Sequence, residues 1–596
     1  MNIMHVLSQK ELTGAEVYAT SLIDGQISDG HKVFQVSNGF FSLSRAEQIL
    51  LPVETQGISF WKSVVALRKI LRNKKIQVVH GHSRAAAKLI FYARIGLKIG
   101  YVSTVHGRQH LSFSKKLLNQ YGDFIIPVCE KIALQLVQEF KYNSRRIKTI
   151  PNPIDTKKFN FKSVLKLSEK QTLRIAIIGR TSGPKKIRSE LFIQEFSKIL
   201  VQRNIKFDFT VIGGEIKNLD SVTNQSFIDI NSDILQNYDL ICGSGRVAIE
   251  ALLSGVPCIA FGETDYVGLI TNENFHSACA SNFGDISFHF NNPIFDLFQA
   301  EKDIELLFSE KVDYQSLADL TSEIFSLESI QKKIRRLYES AYFLRNYSHW
   351  IPTLMYHKVP NRDLNSPHKI YVNKNNFANH LRIFKSLKLT TVTFNELSQY
   401  RKGLKPFSDF PPHPLLLTFD DGYEDNLQNA DVELKRYSMK AQIYLLADQT
   451  LDSNTWDQVE KTQEKHKIIS GEQRQLWKIS QFEIGSHGLR HHRMPSMSVD
   501  KKLNELSLSK KHLEAEFNQP IISYAYTYGD TNPECASLAE ACGYEYALNT
   551  DSGGLLMEEE PYQIFRVNIF PNETFWSLWK KTRTWYRRYY FYKRNK

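Results

Sequence analysis

The chain has 596 residues, of which 42% are hydrophobic and 23% charged, and these proportions exclude disordered, collagen-like and small disulfide-stapled proteins. Lysine and arginine outnumber aspartate and glutamate by 76 to 63, and the net charge of +13 favours anionic partners: phosphorylated sugars, anionic lipid or nucleic acid. No basic and apolar leader opens the chain and no run of about 20 apolar residues occurs, so we expect neither a cleaved export signal nor a membrane span. The six cysteines stand singly, as reduced thiols do.

The first 160 residues alternate short apolar runs with segments of helical spacing. The runs NIMHVL, HKVFQVS, IQVVHGH, YVSTVHG and DFIIPVC predict strands. A second series begins at LRIAIIGR and continues through FDFTVIGG, QSFIDI, YDLICGSG and VPCIAFG. Alternation of this kind predicts two α/β domains, each a doubly wound parallel sheet.

Residues 300–349 are charged, have helical spacing and contain neither glycine nor proline, so we expect closing helices followed by a bridge. From IPTLMYHKVP onward proline and histidine become more frequent, which indicates a third unit. The sequence therefore predicts five segments: two α/β domains at 1–163 and 164–330, a helical linker at 331–349, a third domain at 350–575 and a basic aromatic tail at 576–596.

Three features of the first two domains suit a phosphorylated ligand. The loop TGAE, with Gly14, lies between a strand and a helix N-terminus, where free N–H groups and small residues let a ligand approach. In IIGRTSGPKK, Arg180 and Lys185 follow a strand and can clamp a diphosphate. In GSGRVAIEALLSGVPCIAFG, Glu250 follows a glycine turn and can accept hydrogen bonds from ribose. Each feature on its own is equally compatible with a tight turn or a surface charge.

Residues 1 to about 340 resemble a glycosyltransferase of the GT-B fold, similar to the retaining family 4 group. The matching segments include TGAEVYATSL, VVHGHSRAAA, STVHGR, IPVCEKIALQL, IPNPIDTKKF, IGRTSGPKK and GRVAIEALLSGVPCIA. The resemblance implies two Rossmann-like domains, with the acceptor on the first and a nucleotide-sugar donor, such as a UDP-sugar, on the second. It implies no required metal in this half, because basic side chains and a helix N-terminus neutralise the leaving diphosphate.

By matching motifs, the resemblance implies five residues near the donor: Gly14 at the phosphate, His106 at the transferred sugar, Arg180 and Lys185 at the diphosphate, and Glu250 at the ribose. The family usually carries a second glutamate eight positions before Glu250, where this sequence has Cys242. The donor sugar is therefore left open.

The segment LLLTFDDGYEDN places Asp420 and Asp421 at the end of an apolar run. Paired acids can divide the work: one holds a cation while the other removes a proton from water. Farther along, SHGLRHHRM supplies His487 and His491, whose four-residue spacing predicts two imidazoles on one side of a helical turn sharing a metal. One aspartate and two histidines leave positions open for water and substrate, as a catalytic metal site requires.

This ordered set resembles the polysaccharide deacetylase family, also called NodB-homology or carbohydrate esterase family 4, over about residues 350–570. PTLMYHKV, TFDDGY, SHGLRHH and YAYTYGD carry the resemblance. It implies a distorted β/α barrel that hydrolyses an N-acetyl group of an amino sugar. It also implies the site residues: Asp420 as base, Asp421, His487 and His491 as ligands of a divalent metal, and the backbone N–H of Tyr528 in an oxyanion hole. Zinc is the expected metal, with cobalt, nickel or iron left open.

Some residues depart from the family pattern. Thr527 stands where proline is usual, Ala525 where some members have arginine, and FRVNIF lacks the histidine that often acts as general acid. His357, in LMYHKV, is compatible with lining the site or with a structural role. We interpret His492 as a surface neighbour of the site rather than a third histidine ligand.

The last seventeen residues, KKTRTWYRRYYFYKRNK, combine eight basic side chains with six aromatic rings. This composition suits contact with an anionic membrane surface, a solubilising tail or a final helix packed on its domain.

Together these motifs predict a bifunctional enzyme of bacterial surface-glycan assembly, on a lipopolysaccharide core or a related polysaccharide. One half would transfer a sugar, with N-acetylhexosamine expected, to a lipid-linked acceptor, and the other would remove an acetyl group. We expect a cytoplasmic location, either free or peripheral at the inner face of the cytoplasmic membrane. The alternative is a glycosyltransferase whose C-terminal domain is an inactive glycan-binding module. A nucleic-acid-binding role would leave both motif sets unexplained.

Overall fold

A computed structural model describes most of the chain, namely residues 1–9, 14–41, 44–53, 56–109, 120–162, 167, 170–179, 184–216, 222–226, 228–287, 295–309, 311–365, 369–456, 464–550 and 552–594. The chain divides into two compact units, Met1–Tyr342 and Phe343–Lys596.

The N-terminal half of the first unit is a parallel α/β sheet. Among the described residues its strand order is β3-β2-β1-β4-β5-β6, and its strands are β1 Asn2–Val6, β2 Lys32–Ser37, β3 Glu47–Leu50, β4 Val78–Gly81, β5 Gly100–Val105 and β6 Phe124–Pro127. Its helices are Gly14–Ser28, Gly57–Asn73, Arg84–Ala93 and Glu130–Gln138. The five predicted strands are confirmed. The sequence analysis missed β3, because this edge strand is largely exposed and has no apolar run.

The second half of the first unit repeats this architecture. In the part that the structure describes, its strand order is β12-β11-β10-β7-β8-β9 and all neighbours are parallel except β11 and β12. The strands are β7 Leu173–Ile178, β8 Phe207–Ile212, β9 Val222–Gln225, β10 Leu240–Gly243, β11 Cys258–Phe261 and β12 Tyr266–Leu269. The strand predicted at QSFIDI is wrong, because the ladder ends at Gln225. Ile228 and Ile230 instead pack against the core from an irregular segment.

The helices of this second half are Pro184–Gln202, Ser232–Leu235, Arg246–Leu253, Phe275–Ala280, Leu297–Phe308, Tyr314–Phe325 and Leu327–Asn346. The last three confirm the closing helices predicted from residues 300–349. Two Rossmann-like sheets in succession are the GT-B architecture expected from the sequence.

The second unit is a distorted β/α barrel with parallel strands. Over its described residues the strand order is β20-β19-β18-β17-β16-β15-β13-β21, and β14 pairs with β15. The strands are β13 Thr353–Tyr356, β14 Thr390–Thr391, β15 Pro414–Asp420, β16 Ala441–Leu445, β17 Phe482–Ser486, β18 Ser523–Ala525, β19 Tyr546–Asn549, β20 Ile564–Phe565 and β21 Val567–Asn568. Only Arg566 separates β20 from β21, so the two ends of the sheet meet there and the barrel is nearly closed. The expected barrel is confirmed.

The helices of the second unit are Lys374–Ser386, Phe394–Arg401, Asp431–Tyr437, Val499–Phe517, Pro533–Ala541, Phe575–Lys581 and Thr584–Arg594. All seven residues of β15 are buried, which explains the continuous apolar run before Asp420, because strands in a parallel barrel are covered on both faces. The carboxyl ends of such strands meet at one rim, where their following residues can form a site. Within the described residues, no helix is both long and apolar enough to cross a lipid bilayer.

Candidate active sites

The rim of the barrel brings together the four acid and histidine residues singled out in the sequence. Asp420 is the last residue of β15, and Asp421 follows it with a φ of 75°. Positive φ is uncommon in residues other than glycine and marks a constrained turn. In this turn Asp421 Oδ1 lies 3.4 Å from Nε2 of His487 and 3.4 Å from Nε2 of His491.

The two histidines do not lie on a helical turn, and that prediction is wrong. Strand β17 ends at Ser486, and an irregular loop follows, in which Gly488 has a φ of 89° and His491 a φ of 64°. The loop folds back on itself, so the imidazole centroids of His487 and His491 are 5.1 Å apart. Side chains four residues apart lie close together on a helix. Here a loop with two residues of positive φ brings the two imidazoles together instead.

The chemistry of these side chains fits a cation. His487 Nδ1 lies 2.8 Å from the carbonyl oxygen of Ala525, and because a carbonyl only accepts, Nδ1 carries the hydrogen. Nε2 of a neutral His487 therefore turns a lone pair toward the carboxylate of Asp421. Among the described residues, Asp421 Oδ1 is buried and has no hydrogen-bond donor. A carboxylate and two imidazoles are ligands that zinc prefers, so a divalent ion fits here.

Electrostatics supports the same arrangement. Burial by itself would raise the pKa of Asp421, but the neighbouring His487 holds it below its ordinary value. Burial lowers the pKa of His491 to about 3, so its imidazole is neutral and can offer a lone pair at neutral pH.

A buried arginine, Arg566, completes the surroundings of Asp420. Its Nη1 donates to Asp420 Oδ1 at 2.6 Å, and the two side chains are 0% and 3% exposed. Burial raises the pKa of Asp420, but the Arg566 charge more than offsets this and holds the pKa below its ordinary range. Sequence reasoning missed this residue, although FRVNIF contains it. An arginine at the barrel seam thus reaches Asp420.

His357 lines the same rim, as one of the two alternatives left open by the sequence expected. It directly follows β13, and its Nε2 lies 3.8 Å from Asp420 Oδ2, on the carboxylate oxygen that Arg566 does not contact. Burial lowers the pKa of His357, although Asp420 acts in the opposite direction. The His357 imidazole is therefore neutral at pH 7.

Tyr528 also borders this rim. Its backbone has a φ of 58°, its ring centroid lies 4.5 Å from that of His491, and the Arg493 guanidinium stacks over it at 4.0 Å. The oxyanion-hole role of its N–H remains a prediction. His492 points away from the site with its side chain 58% exposed, as interpreted from the sequence.

In the first unit, Lys185 lies at the carboxyl edge of the second sheet. Its Nζ pairs with Asp285 Oδ1 at 2.9 Å, and Ser244 Oγ donates to the same oxygen at 2.7 Å. Sequence reasoning missed Asp285 and Ser244 as neighbours of this lysine. Arg180 lies outside the described residues.

The other residues predicted near the donor differ in how far they are buried and in what they contact. Gly14 lies at the start of the helix Gly14–Ser28, and the loop before it lies outside the described residues. Glu250 is buried and accepts a bond from Arg246 Nε at 2.6 Å. Cys242 is fully buried in β10 and packs in the core, so its thiol is no surface replacement for the usual glutamate.

His106 follows β5 beside a buried histidine network that sequence reasoning did not identify. Gln26 Oε1 accepts from His5 Nε2 at 2.8 Å, so His5 Nδ1 must accept from His82 Nε2, also at 2.8 Å. His80 bonds to the Tyr338 hydroxyl at 2.6 Å.

Burial lowers the pKa values in this network, to about 4 for His5 and His106 and well below the ordinary value for His80 and His82. Although three of these imidazoles lie close enough to hold a metal, the facing nitrogens of His5 and His82 already share a hydrogen bond. The network therefore fits neutral, hydrogen-bonded histidines.

Comparison with known proteins matches a segment of each unit to a different family. Residues 12–158 match the family model described as Glycosyltransferase Family 4, and residues 408–547 match the model described as Polysaccharide deacetylase. The "Putative polysaccharide deacetylase YxkH" of Bacillus subtilis (strain 168) is 27% identical over 222 residues, which span 37% of this chain and 72% of that protein.

A second relative is named as a glycosyltransferase. The UDP-Gal:alpha-D-GlcNAc-diphosphoundecaprenol alpha-1,3-galactosyltransferase of Escherichia coli is 23% identical over 255 residues, covering 36% of this chain and 64% of that enzyme. Among solved structures, the Streptococcus pyogenes deacetylase PplD in complex with acetate has a TM-score of 0.33 and 23% identity, over 39% of this chain and 98% of that one. By these family matches, the chain joins a region similar to glycosyltransferase family 4 to a region similar to the polysaccharide deacetylases.

Proposed function

We propose that this protein is a bifunctional enzyme of bacterial surface-glycan biosynthesis. One half transfers a sugar, an N-acetylhexosamine, from a UDP-sugar to a lipid-linked or lipopolysaccharide-type glycan, and the other removes the N-acetyl group of an amino sugar. The observation that carries the proposal is the buried set of Asp421, His487 and His491 beside the Asp420–Arg566 pair. The relatives support it, since one is named as a deacetylase and the other as a transferase acting on a diphosphoundecaprenol-linked sugar.

In the hydrolytic half, Asp421, His487 and His491 would hold the metal, which supplies polarisation of the acetyl carbonyl and a lower pKa of water. Asp420 is the base. Arg566 keeps it ionised and occupies Oδ1, so Oδ2 is the oxygen that takes the proton from the attacking water. The backbone N–H of Tyr528 stabilises the developing negative charge on the carbonyl oxygen.

His357 completes the proton balance. Water adds to the carbonyl carbon, the C–N bond breaks, and the nitrogen leaves as an amine only if it gains a proton. His357 is neutral at first and lies 3.8 Å from Asp420 Oδ2, so it can receive the proton taken by Asp420 and deliver it to the nitrogen. The products are acetate and a free amino sugar.

In the transferase half, the leaving diphosphate gains negative charge as the bond to the sugar breaks. Lys185 neutralises part of this charge, together with Arg180 and the helix that begins at Gly14. Glu250 holds the ribose and His106 lies by the transferred sugar, whose anomeric configuration is retained. No metal is required in this half.

Acetate release from an N-acetylglucosamine-bearing lipid-linked glycan tests the hydrolytic half, with bound metal measured on the same samples. We expect release by the wild type with added zinc, and loss of both metal and release in Asp421→Asn and His487→Ala. His492→Ala is the matched control, because it removes an adjacent but exposed imidazole, and it should keep both. Wild-type protein that neither binds metal nor releases acetate would contradict the proposal and favour a glycan-binding module.

His357→Gln separates proton delivery from metal binding. This variant should retain stoichiometric metal while kcat falls by about 100-fold, the usual size of a lost general acid. Substrates with better leaving groups need less proton donation and should lose less activity. An equal loss for all leaving groups would assign His357 a structural role.

A further inference from the structure

The last two helices, Phe575–Lys581 and Thr584–Arg594, are fixed to the barrel by one face. Leu578 and Tyr586 are buried in the core of the second unit. The buried Arg587 donates from Nη2 to two backbone carbonyl oxygens at 2.7 Å and stacks on a ring of the barrel. A final helix packed on its domain, one of the three options left by the sequence, is therefore present. Because this inner face is anchored, the outer face has a fixed orientation.

The outer face exposes large aromatic side chains. Trp576 is 70% exposed, Trp585 51%, Tyr589 56% and Tyr592 59%. Three tryptophans form a series, since the half-buried Trp579 lies 6.1 Å from Trp576 and 6.4 Å from Trp585, measured between ring centroids. Tyr589 and Tyr592 follow Trp585 by four and seven positions and so lie on the same face of the last helix. Exposed aromatic rings in such a series mark an interaction surface, because single exposed apolar residues are common but contiguous ones are not.

Basic side chains surround these rings. Lys580, Arg588 and Lys593 are exposed, whereas Lys581 and Arg587 are buried, and residues 574–594 contain no aspartate or glutamate. The surface is therefore positively charged as well as aromatic. Protein–protein interfaces are depleted in lysine, whereas membrane interfaces combine lysine and arginine with tryptophan and tyrosine.

We propose that this surface docks the protein on an anionic phospholipid bilayer. We call it the aromatic basic face, and its members are Trp576, Trp579, Lys580, Trp585, Arg588, Tyr589, Tyr592 and Lys593. Its rings settle at the level of the headgroups while its cations contact anionic lipid, so the helices lie on the membrane rather than span it. This docking goes beyond the proposed reactions, because both could in principle occur on a dissolved glycan.

Binding of the full-length protein to vesicles tests the proposal without any substrate. Phosphatidylcholine vesicles containing about 30% phosphatidylglycerol should bind at least about tenfold more tightly than pure phosphatidylcholine, and salt should weaken binding. Each basic residue near the surface contributes about fivefold, so the triple variant Lys580→Gln, Arg588→Gln, Lys593→Gln should lose about 100-fold. Its matched control removes three exposed lysines elsewhere on the barrel, Lys478→Gln, Lys501→Gln and Lys511→Gln, and should bind like the wild type.

The aromatic contribution has a separate readout. Trp576→Ser with Trp585→Ser should weaken binding and remove most of the tryptophan quenching by lipids brominated near the headgroup. Ile479→Ser, which changes a 74% exposed apolar residue elsewhere, should change neither. Equal thermal unfolding of all variants shows that folding is intact.

Three results would overturn the proposal: equal binding to neutral and anionic vesicles, equal loss in the lysine control, or quenching that is unchanged when Trp576 and Trp585 are replaced. Concentration-dependent self-association that both face variants abolish, without vesicle binding, would instead assign the face to a second copy of this chain.

Discussion

Arg566 Nη1 lies 2.6 Å from Asp420 Oδ1 inside the barrel, with both side chains buried. The pair joins the seam between β20 and β21 to the carboxyl end of β15. Removing one partner of such a buried ion pair costs more stability than the intact pair contributes. The reason is that the remaining charge is left buried without water or a counter-charge.

Replacing Arg566 with methionine should therefore affect both folding and catalysis. We expect a loss of about 3–5 kcal/mol in unfolding free energy, from the uncompensated Asp420 carboxylate. Without the guanidinium, the pKa of Asp420 rises, so the acid limb of the kcat/KM profile for acetate release should move to higher pH. Urea unfolding and pH-dependent kinetics measure the two effects.

The double variant Arg566→Met with Asp420→Asn is the control for this pair. It should recover most of the lost stability, because no charge is buried, and it should lack the activity that Arg566→Met retains, because asparagine cannot take up the proton. If Arg566→Met leaves the pH profile in place, Arg566 has only a structural role.

Lys185 pairs with Asp285 in the described structure, so an incoming diphosphate competes with that carboxylate. Lys185→Gln should weaken UDP binding by about tenfold or more, the effect of losing a charge-assisted hydrogen bond. Asp285→Asn should strengthen it, because Lys185 loses its competing partner. Calorimetric titration with UDP measures both. Lys186→Gln, one residue along the same helix, should be neutral, and an equal effect there would contradict a specific role for Lys185.

Glu483 makes the stability of the barrel pH-dependent. Burial raises its pKa to about 7, whereas in the unfolded chain it lies near 4.5. The folded state thus holds the proton more tightly, and stability is lost as pH rises from about 4.5 to about 7. Glu483→Gln should be more stable than the wild type by about 1–3 kcal/mol at pH 8 and equal to it below pH 4.5.

Hydrogen exchange of the β17 amides measures this difference locally. Glu472→Gln alters an exposed glutamate of the same unit and should leave the profile unchanged. If Glu483→Gln is more stable than the wild type by the same amount at pH 4 and at pH 8, burial of the Glu483 charge is not the cause.

The histidine network of the first unit predicts the opposite pH dependence. Burial lowers the pKa of His5 to about 4, so the folded state binds fewer protons than the unfolded state. Stability from this group is complete above about pH 6.5 and is lost as pH falls toward 4, by up to about 1.4 kcal/mol per pH unit for each such histidine. Exchange of β1 and β4 amides should therefore quicken below pH 6.5, after correction for intrinsic rates. His5→Gln should make the exchange rate depend less on pH. His276→Gln, which changes an exposed histidine, should leave the pH dependence as it is in the wild type. A pH dependence that changes in His276→Gln but not in His5→Gln would contradict the role of His5.

Local patterns in the sequence were sufficient for the architecture. Apolar runs predicted most strands, since a parallel strand is buried on both faces and must be apolar along its length. The same reasoning placed Asp420 and Asp421 at a strand end, and therefore at the rim where sites form. It missed β3, whose exposed edge carries no such signal.

Tertiary structure decided the partners of these residues. His487 and His491 meet through a left-handed loop, and the four-residue spacing by itself suggested a helix instead. Tyr338 reaches His80 from 258 positions away, and Arg566 reaches Asp420 from 146 positions away. The sequence by itself determined the order of the two regions and singled out Asp420, Asp421, His487 and His491, because periodicity and motif spacing are local. Which charged side chains come into contact was decided only by the nearly closed barrel and the packed sheets. Those contacts join chain segments that meet only after folding.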